Sequence, residues 1–265
     1  MVDGKRRKLS MIVLFSIIFV FSIGIITVNS SSSNKKREEN QTWIYIAGDS
    51  TASNYTEERA PRTGWGQVLD PLFDKKIEVI NKAASGRSSK SFIAEGRLDE
   101  ILSEIQKGDY LFIQFGHNDA KEDKPSLYTD PSTTYKSYLK QYIDGAREQG
   151  ALPVLLTPVE RRTFSEDGTF IPSHGDYPKA MKELAQEENV PVLHMTEKTT
   201  ELYNQLGPEE SKDLFMWLEE DESPNYSEGV QDSTHFRKTG ATEIAQLVVE
   251  EIERLKLKGL YSHLN

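Results

Sequence analysis

From Thr42 onward the chain alternates short apolar runs with amphipathic stretches, and this alternation limits the fold more than any other feature. Runs at Trp43 to Ala47, Ile77 to Asn81, Tyr110 to Phe115, Pro153 to Thr157 and Pro191 to Met195 mostly lack a charged interior, as strands of a parallel sheet covered on both faces do. Between them, Tyr135, Tyr138, Leu139, Tyr142, Ile143 and Ala146 recur at helical spacing up to Gly150, and Ile244, Leu247, Val248, Ile252 and Leu255 do so near the end. Strand and helix in alternation mean βαβ units, so the expected fold is a three-layer α/β/α sandwich around a five-stranded parallel sheet. The stretch Leu206 to Val230, rich in Gly, Pro, Asn and acids, reads as a loop or short-helix excursion before the last helix.

The 265 residues suit one exported domain over 42–265. Lys5-Arg6-Arg7-Lys8 precedes the apolar run Met11 to Val28, and a polar linker over 29–41 follows. Residues 1–28 are therefore expected to be a signal peptide or an N-terminal membrane anchor: the run is just long enough to span a bilayer, and a clear A-x-A cleavage site is missing. Either way the basic flank stays inside and the domain is secreted or displayed at the cell surface. Membrane contact is expected only through this segment, if uncleaved. Beyond residue 40 there are 25 basic against 39 acidic residues, a balance that argues against nucleic acid as a partner. The absence of cysteine excludes disulfides, thiolate metal sites and a cysteine nucleophile. Nothing in the sequence speaks to oligomeric state.

Ligands of open parallel sheets bind at the carboxyl ends of the strands, and four segments at such positions carry reactive residue types. Gly48-Asp49-Ser50-Thr51 follows the first strand, a loop containing Gly86 the second, and Gly116-His117-Asn118-Asp119 the third; Asp232-Ser233-Thr234-His235 precedes the final helix. A serine hydroxyl needs a neutral imidazole to take its proton and a carboxylate to hold that imidazole's tautomer. Ser50, His235 and Asp232 supply all three, the last two three residues apart at an expected loop-to-helix junction. The backbone N–H groups of Ser50 and Gly86 and the Asn118 amide are the expected donors to an oxyanion.

These four segments, in this order, resemble the blocks of the SGNH (GDSL-type) hydrolases, whose Ser, Gly, Asn and His fall on Ser50, Gly86, Asn118 and His235, with the acidic partner on Asp232. The resemblance spans Thr42 to about Leu255. It is greatest to the rhamnogalacturonan acetylesterase branch, through Gly48-Asp49-Ser50-Thr51-Ala52, Phe115-Gly116-His117-Asn118-Asp119, Thr157-Pro158-Val159-Glu160-Arg161-Arg162, Tyr177-Pro178 and Asp232-Ser233-Thr234-His235-Phe236. It implies a flavodoxin-like sheet, cofactor-free and metal-free ester hydrolysis by double displacement, and deacetylation of a pectic polysaccharide.

Other readings of the same residues remain beside this one. Ser50 alone also reads as a helix cap, Gly86 as a turn glycine, and Asp49 and Asp119 as residues that hold loop backbone. His194 falls within an expected strand. His117 and His174 are candidates for the substrate cleft, as are Arg161 and Arg162, whose guanidinium groups suit a substrate carboxylate. Trp65, Trp217, Tyr177 and Tyr226 are candidates to stack on sugar rings, Trp65 being the one better suited to packing. A metal site built from His117, Asp119, His174 and Asp232 lacks any compact ligand spacing. The rival functions are a short-chain esterase or lysophospholipase, which would need an acyl groove, a non-catalytic carbohydrate-binding module, which would tolerate a damaged triad, and a metal-dependent phosphodiesterase, which a chelator would inhibit.

Overall fold

The computed structural model describes Met1, Arg37, Glu38 and residues 41–265. The expected signal or anchor and nearly all of the linker lie outside the described residues. Five parallel strands, β1 (Thr42–Gly48), β2 (Ile77–Asn81), β3 (Tyr110–Gln114), β4 (Leu152–Leu156) and β5 (Val192–Leu193), form one sheet in the order β2-β1-β3-β4-β5. This is the order of a flavodoxin-like sheet. Its switch point lies between β1 and β3, where successive connections leave toward opposite edges and open a crevice.

Period-two alternation builds the three layers. Ile44, Ile46, Phe112, Val154 and Leu156 face one cluster, closed by Met195 and Tyr203 of α5 (Met195–Glu210) and by Ala241, Ile244, Val248 and Ile252 of α6 (Lys238–Leu255). Tyr45, Ala47, Leu111, Ile113 and Leu155 face the other. That second cluster is covered by α1 (Ser89–Ala94), α2 (Arg97–Glu104), α3 (Lys136–Glu148) and α4 (Tyr177–Glu187). The sheet is thus buried on both sides, which explains why its strands read as apolar runs rather than as alternating polar and apolar residues.

Three elements differ from expectation. The fifth strand is only two residues long: His194 leaves the extended region (φ −84°, ψ 58°), and Thr196 N–H donates to Thr157 Oγ1 at 2.9 Å as the chain turns into α5. His194 is therefore a half-exposed residue at a helix start, not part of a strand. The Leu206 to Val230 region is not only loop and short helix. It contains β6 (Phe215–Leu218), antiparallel to β7 (Val230–Phe236), because Phe215, Met216 and Leu218 bury themselves. β7 also includes Asp232 and His235, which places them in an interrupted strand two residues short of α6.

Trp65 lies in a single 3-10 turn, fully buried, with Nε1–H donating to Gln114 Oε1 at 2.6 Å and its own backbone N–H to Thr51 O at 2.9 Å. This turn packs against the Ser50 loop so closely that a Cβ on Gly64 would sit 2.2 Å from Ser53 O and 2.6 Å from the Ala52 carbonyl carbon. Both obstacles are backbone and cannot rotate away. Gly64→Ala should destabilise by about 3 kcal/mol, at the upper end of ordinary overpacking, and the measurement is the midpoint of denaturant unfolding.

Candidate active site

Ser50 follows β1 on a turn whose shape is set by its neighbours. Thr51 donates its N–H (2.9 Å) and its hydroxyl (2.8 Å) to Asp49 Oδ1, Ser53 Oγ donates to Asp49 O, and Tyr55 Oη donates to Ser50 O at 2.7 Å. The Ser50 side chain is left to face His235. Ser50 Oγ–H donates to His235 Nε2 at 2.9 Å, and His235 Nδ1–H donates to Asp232 Oδ2 at 2.7 Å. The structure therefore joins three residues that lie up to 185 positions apart in sequence.

The sequence interval between Asp232 and His235 becomes intelligible in the β6–β7 ladder. Met216 pairs with Asp232 while the adjacent Phe215 pairs with Phe236, so Ser233, Thr234 and His235 are looped out of the pairing. Asp232 Oδ1 takes over the lost backbone partners, accepting from Thr234 N–H at 2.9 Å and His235 N–H at 3.0 Å. The other oxygen is then left for the imidazole. Burial raises the pKa of Asp232, but the hydrogen bond and charge of His235 and the two backbone donors outweigh it and hold the carboxyl at about 2. Arg62 Nη2 donates to the same Oδ2 at 3.0 Å, an ion pair four-fifths or more out of solvent.

The three expected oxyanion donors lie on loops that are tied together. Ala84 N–H donates to Gly48 O at 2.9 Å, which joins the Gly86 loop to the Ser50 loop. Asn118 Nδ2 donates one hydrogen to Arg87 O at 3.0 Å, and Asn118 Oδ1 accepts from Lys121 Nζ at 2.6 Å. The second Nδ2 hydrogen is thereby left over, and among the described residues neither Ser50 N–H nor Gly86 N–H has a hydrogen-bond partner. Gly86 has φ +81°, a conformation that glycine adopts without strain. Gly116 is constrained differently, since a Cβ there would meet Pro158 Cγ at 2.8 Å.

Asp119 is fully buried and braces these loops. It accepts from Ser89 N–H, Ser89 Oγ (2.5 Å) and Thr129 Oγ1 (3.0 Å), against burial that raises its carboxyl to about 7. Asp49 does hold loop backbone as expected, and has a second task that the sequence does not reveal. Its Oδ2 accepts from His117 Nδ1–H at 3.1 Å, which links the residue before Ser50 to the residue before Asn118. Burial would raise Asp49, but His117 and the Thr51 donors hold it at about 2, and burial keeps His117 neutral. A carboxyl held near 2 against an ordinary 3.8 contributes about 2 kcal/mol above pH 4, and this is lost as pH falls from about 4 toward 2. His117, also depressed, acts in the same direction. Stability should therefore decline as pH falls from about 4 toward 2, below the range in which the raised Asp119 carboxyl acts in the opposite direction, and Asp49→Asn should flatten this decline in denaturant titrations.

Of the candidate substrate-binding residues, His117 and His174 are 3% and 2% exposed. Their rings pack edge to face with centroids 4.5 Å apart, and His174 Nε2–H donates to Val159 O. Both are buried, His117 against Asp49 and His174 against Val159 O. Arg162 is also turned inward: it donates to Ser211 Oγ at 3.0 Å and to Pro208 O, and lies 4.7 Å over the Trp217 ring. Arg161 differs from it. Its guanidinium donates to Ser173 O (3.2 Å) and His117 O (3.1 Å), and no carboxylate lies within ion-pair distance of it among the described residues.

The aromatic candidates are occupied as well. Tyr177 is buried with its hydroxyl on Asp119 O and Thr129 O, Trp217 sits under Arg162 and Lys212, and Tyr226 Oη donates to Arg59 O. Among the described residues no group of three or more His, Asp or Glu side chains is placed to share a metal ion. The sequence reading missed Arg62, which lies 170 positions from its carboxylate partner, and Lys121. The pattern carries no signal for Arg62; for Lys121 the only one is its position one turn after Asn118.

Comparison with known proteins gives the chain's family and relatives. A family described as GDSL-like lipase/acylhydrolase matches residues 46–241. The chain is 49% identical over 214 residues to the rhamnogalacturonan acetylesterase RhgT of Bacillus subtilis (strain 168), covering 81% of this chain and 90% of that protein. It is 48% identical over 214 residues to the probable rhamnogalacturonan acetylesterase YesY of the same organism, covering 81% and 94%. Among solved structures, YxiM of Bacillus subtilis superposes with a TM-score of 0.71 at 29% identity, over 83% of this chain and 58% of that one. Axe2, an acetylxylan esterase from Geobacillus stearothermophilus, shares the fold with a TM-score of 0.58 at 16% identity, over 81% and 96%.

Proposed function

The chain belongs to the GDSL-like lipase/acylhydrolase family and is a carboxylic ester hydrolase, and from that premise we propose that it removes acetyl groups from a pectic, rhamnogalacturonan-like polysaccharide outside the cytoplasmic membrane. Ser50 attacks the ester carbonyl while His235 takes its proton. Asp232 fixes the histidine's tautomer and stabilises the imidazolium. Ser50 N–H, Gly86 N–H and the remaining Asn118 amide hydrogen receive the oxyanion. His235 then gives the proton to the departing sugar oxygen, takes another from the water that attacks the acyl-enzyme, and returns that one to Ser50 Oγ as acetate leaves.

The observation that carries this reading is the continuous relay from Ser50 through His235 to Asp232, at 2.9 and 2.7 Å, beside two N–H groups with no partner among the described residues. The substrate class is supported by RhgT, nearly half identical over most of both chains. Arg161 supports an acidic polymer, since a half-buried guanidinium without a carboxylate in ion-pair distance among the described residues suits a uronate carboxylate. The basic Lys5 to Lys8 flank and the apolar run Met11 to Val28 support export. The test is acetate release from acetylated rhamnogalacturonan, xylan and peptidoglycan. Rhamnogalacturonan should be the fastest substrate, and release from xylan alone would overturn the pectic assignment. An equal rate on a neutral acetylated disaccharide would remove the role given to Arg161.

A further inference from the structure

In the proposed mechanism the nitrogen of the Asn118 amide faces the oxyanion, while its oxygen accepts from an ammonium group. Lys121 Nζ lies 2.6 Å from Asn118 Oδ1, one helical turn along a loop that also closes with Lys121 N–H on Asn118 O. Lys82, Lys136, Lys140, Lys179, Lys182, Lys198 and Lys212 each have a glutamate or aspartate within ion-pair distance. Among the described residues Lys121 has no carboxylate within ion-pair distance; its hydrogen-bond partner is a neutral amide.

We propose that Lys121 is a positioning residue of the oxyanion site, holding the Asn118 amide in one orientation and polarising it through its oxygen. The proposal rests on the oxyanion role given above to Asn118. Two effects follow from the contact. A cation bonded to Oδ1 fixes which end of the amide is oxygen, so an N–H rather than a lone pair is left for the substrate oxygen. It also draws electron density from the amide, making the remaining N–H a stronger donor to negative charge, as chained hydrogen bonds do. The positive charge favours the transition state over the ground state, since negative charge develops on the carbonyl oxygen only on the way to the tetrahedral intermediate.

The charges facing Lys121 set where the effect ends. Burial lowers its pKa from the ordinary 10.5, and Lys124 and Arg161 lower it further, while Asp49 and Asp123 oppose them. The ammonium is present below its pKa and lost as pH rises through it. An alkaline fall in kcat should therefore set in earlier than an exposed lysine would give.

Lys121→Met should lower kcat by roughly 30-fold, less than the hundredfold or more that loss of an oxyanion donor costs, with KM nearly unchanged and an unaltered thermal midpoint. Lys121→Arg should restore most of the rate and move the alkaline limb upward, because a guanidinium does not titrate there. In a double-mutant cycle measured on a neutral acetyl ester, Asn118→Ala with Lys121→Met should be no slower than Asn118→Ala alone. If the two losses multiply, or Lys121→Met is as fast as wild type, the role of Lys121 is overturned while that of Asn118 stands. If Asn118→Ala itself leaves kcat intact, the oxyanion reading fails and this proposal with it.

Discussion

Ser50→Ala should lower kcat for acetate release by on the order of 10⁵- to 10⁶-fold, the loss seen when the nucleophile of a hydrolytic triad is removed. The expected size follows from what remains. The methyl group leaves the turn intact, because Asp49, Thr51, Ser53 and Tyr55 hold it through backbone and side-chain bonds that do not involve Ser50 Oγ. Substrate should therefore bind with similar KM, and the residual rate should come from the oxyanion donors alone. Steady-state acetate assays read both quantities. A variant retaining more than a few per cent of the wild-type rate would show that the hydroxyl bonded to His235 is not the attacking group.

Asp232→Asn should cost roughly 10⁴-fold in kcat, the scale found for this substitution in other triads. The carbonyl oxygen of the substituted side chain can still accept from Thr234 N–H and His235 N–H, so the looped-out segment should keep its shape. The change falls at the other end of the side chain. An NH₂ group there would face both His235 Nδ1 and Arg62 Nη2, which in the native protein share Asp232 Oδ2 at 2.7 and 3.0 Å. The imidazole must then place its proton on Nε2, and it can no longer accept from Ser50. Since the native carboxyl is held at about 2, its protonation should not limit activity at any pH above about 3. A kcat loss below tenfold for Asp232→Asn would remove Asp232 from the proton relay.

The parts of this site that are legible in the sequence are those with local cause. Strand-end loops such as Gly48-Asp49-Ser50 follow directly from apolar runs, so the pattern alone puts Ser50, Gly86 and Asn118 at one edge of the sheet. The illegible parts depend on long-range pairing. Phe215 to Leu218 is a four-residue apolar run inside an irregular, acidic stretch, and it becomes a strand only because its partner, beginning at Val230, is in register with it. His117 and His174 have the residue type and loop position of substrate contacts, yet Asp49 and Val159, to which they turn inward, decide their placement. Arg161 and Arg162 are adjacent and identical in chemistry, and the positions of Trp217 and Ser211 on one side and of the Ser173 and His117 carbonyls on the other separate an inward-stacked residue from one held by backbone oxygens alone.

The three residues looped out of the β6–β7 ladder make one carboxylate both the electrostatic partner of the histidine and the template for the turn that presents it. Proteins in which acid and base stand on different elements can exchange the acid for a longer homologue or borrow one from elsewhere, since the base keeps its backbone. That freedom is absent here. Any change that removes the acceptor at Asp232 Oδ1 also releases the amides of Thr234 and His235, so lineages with this architecture can lose their acid and keep the strand only through a replacement, such as asparagine, that retains an acceptor there.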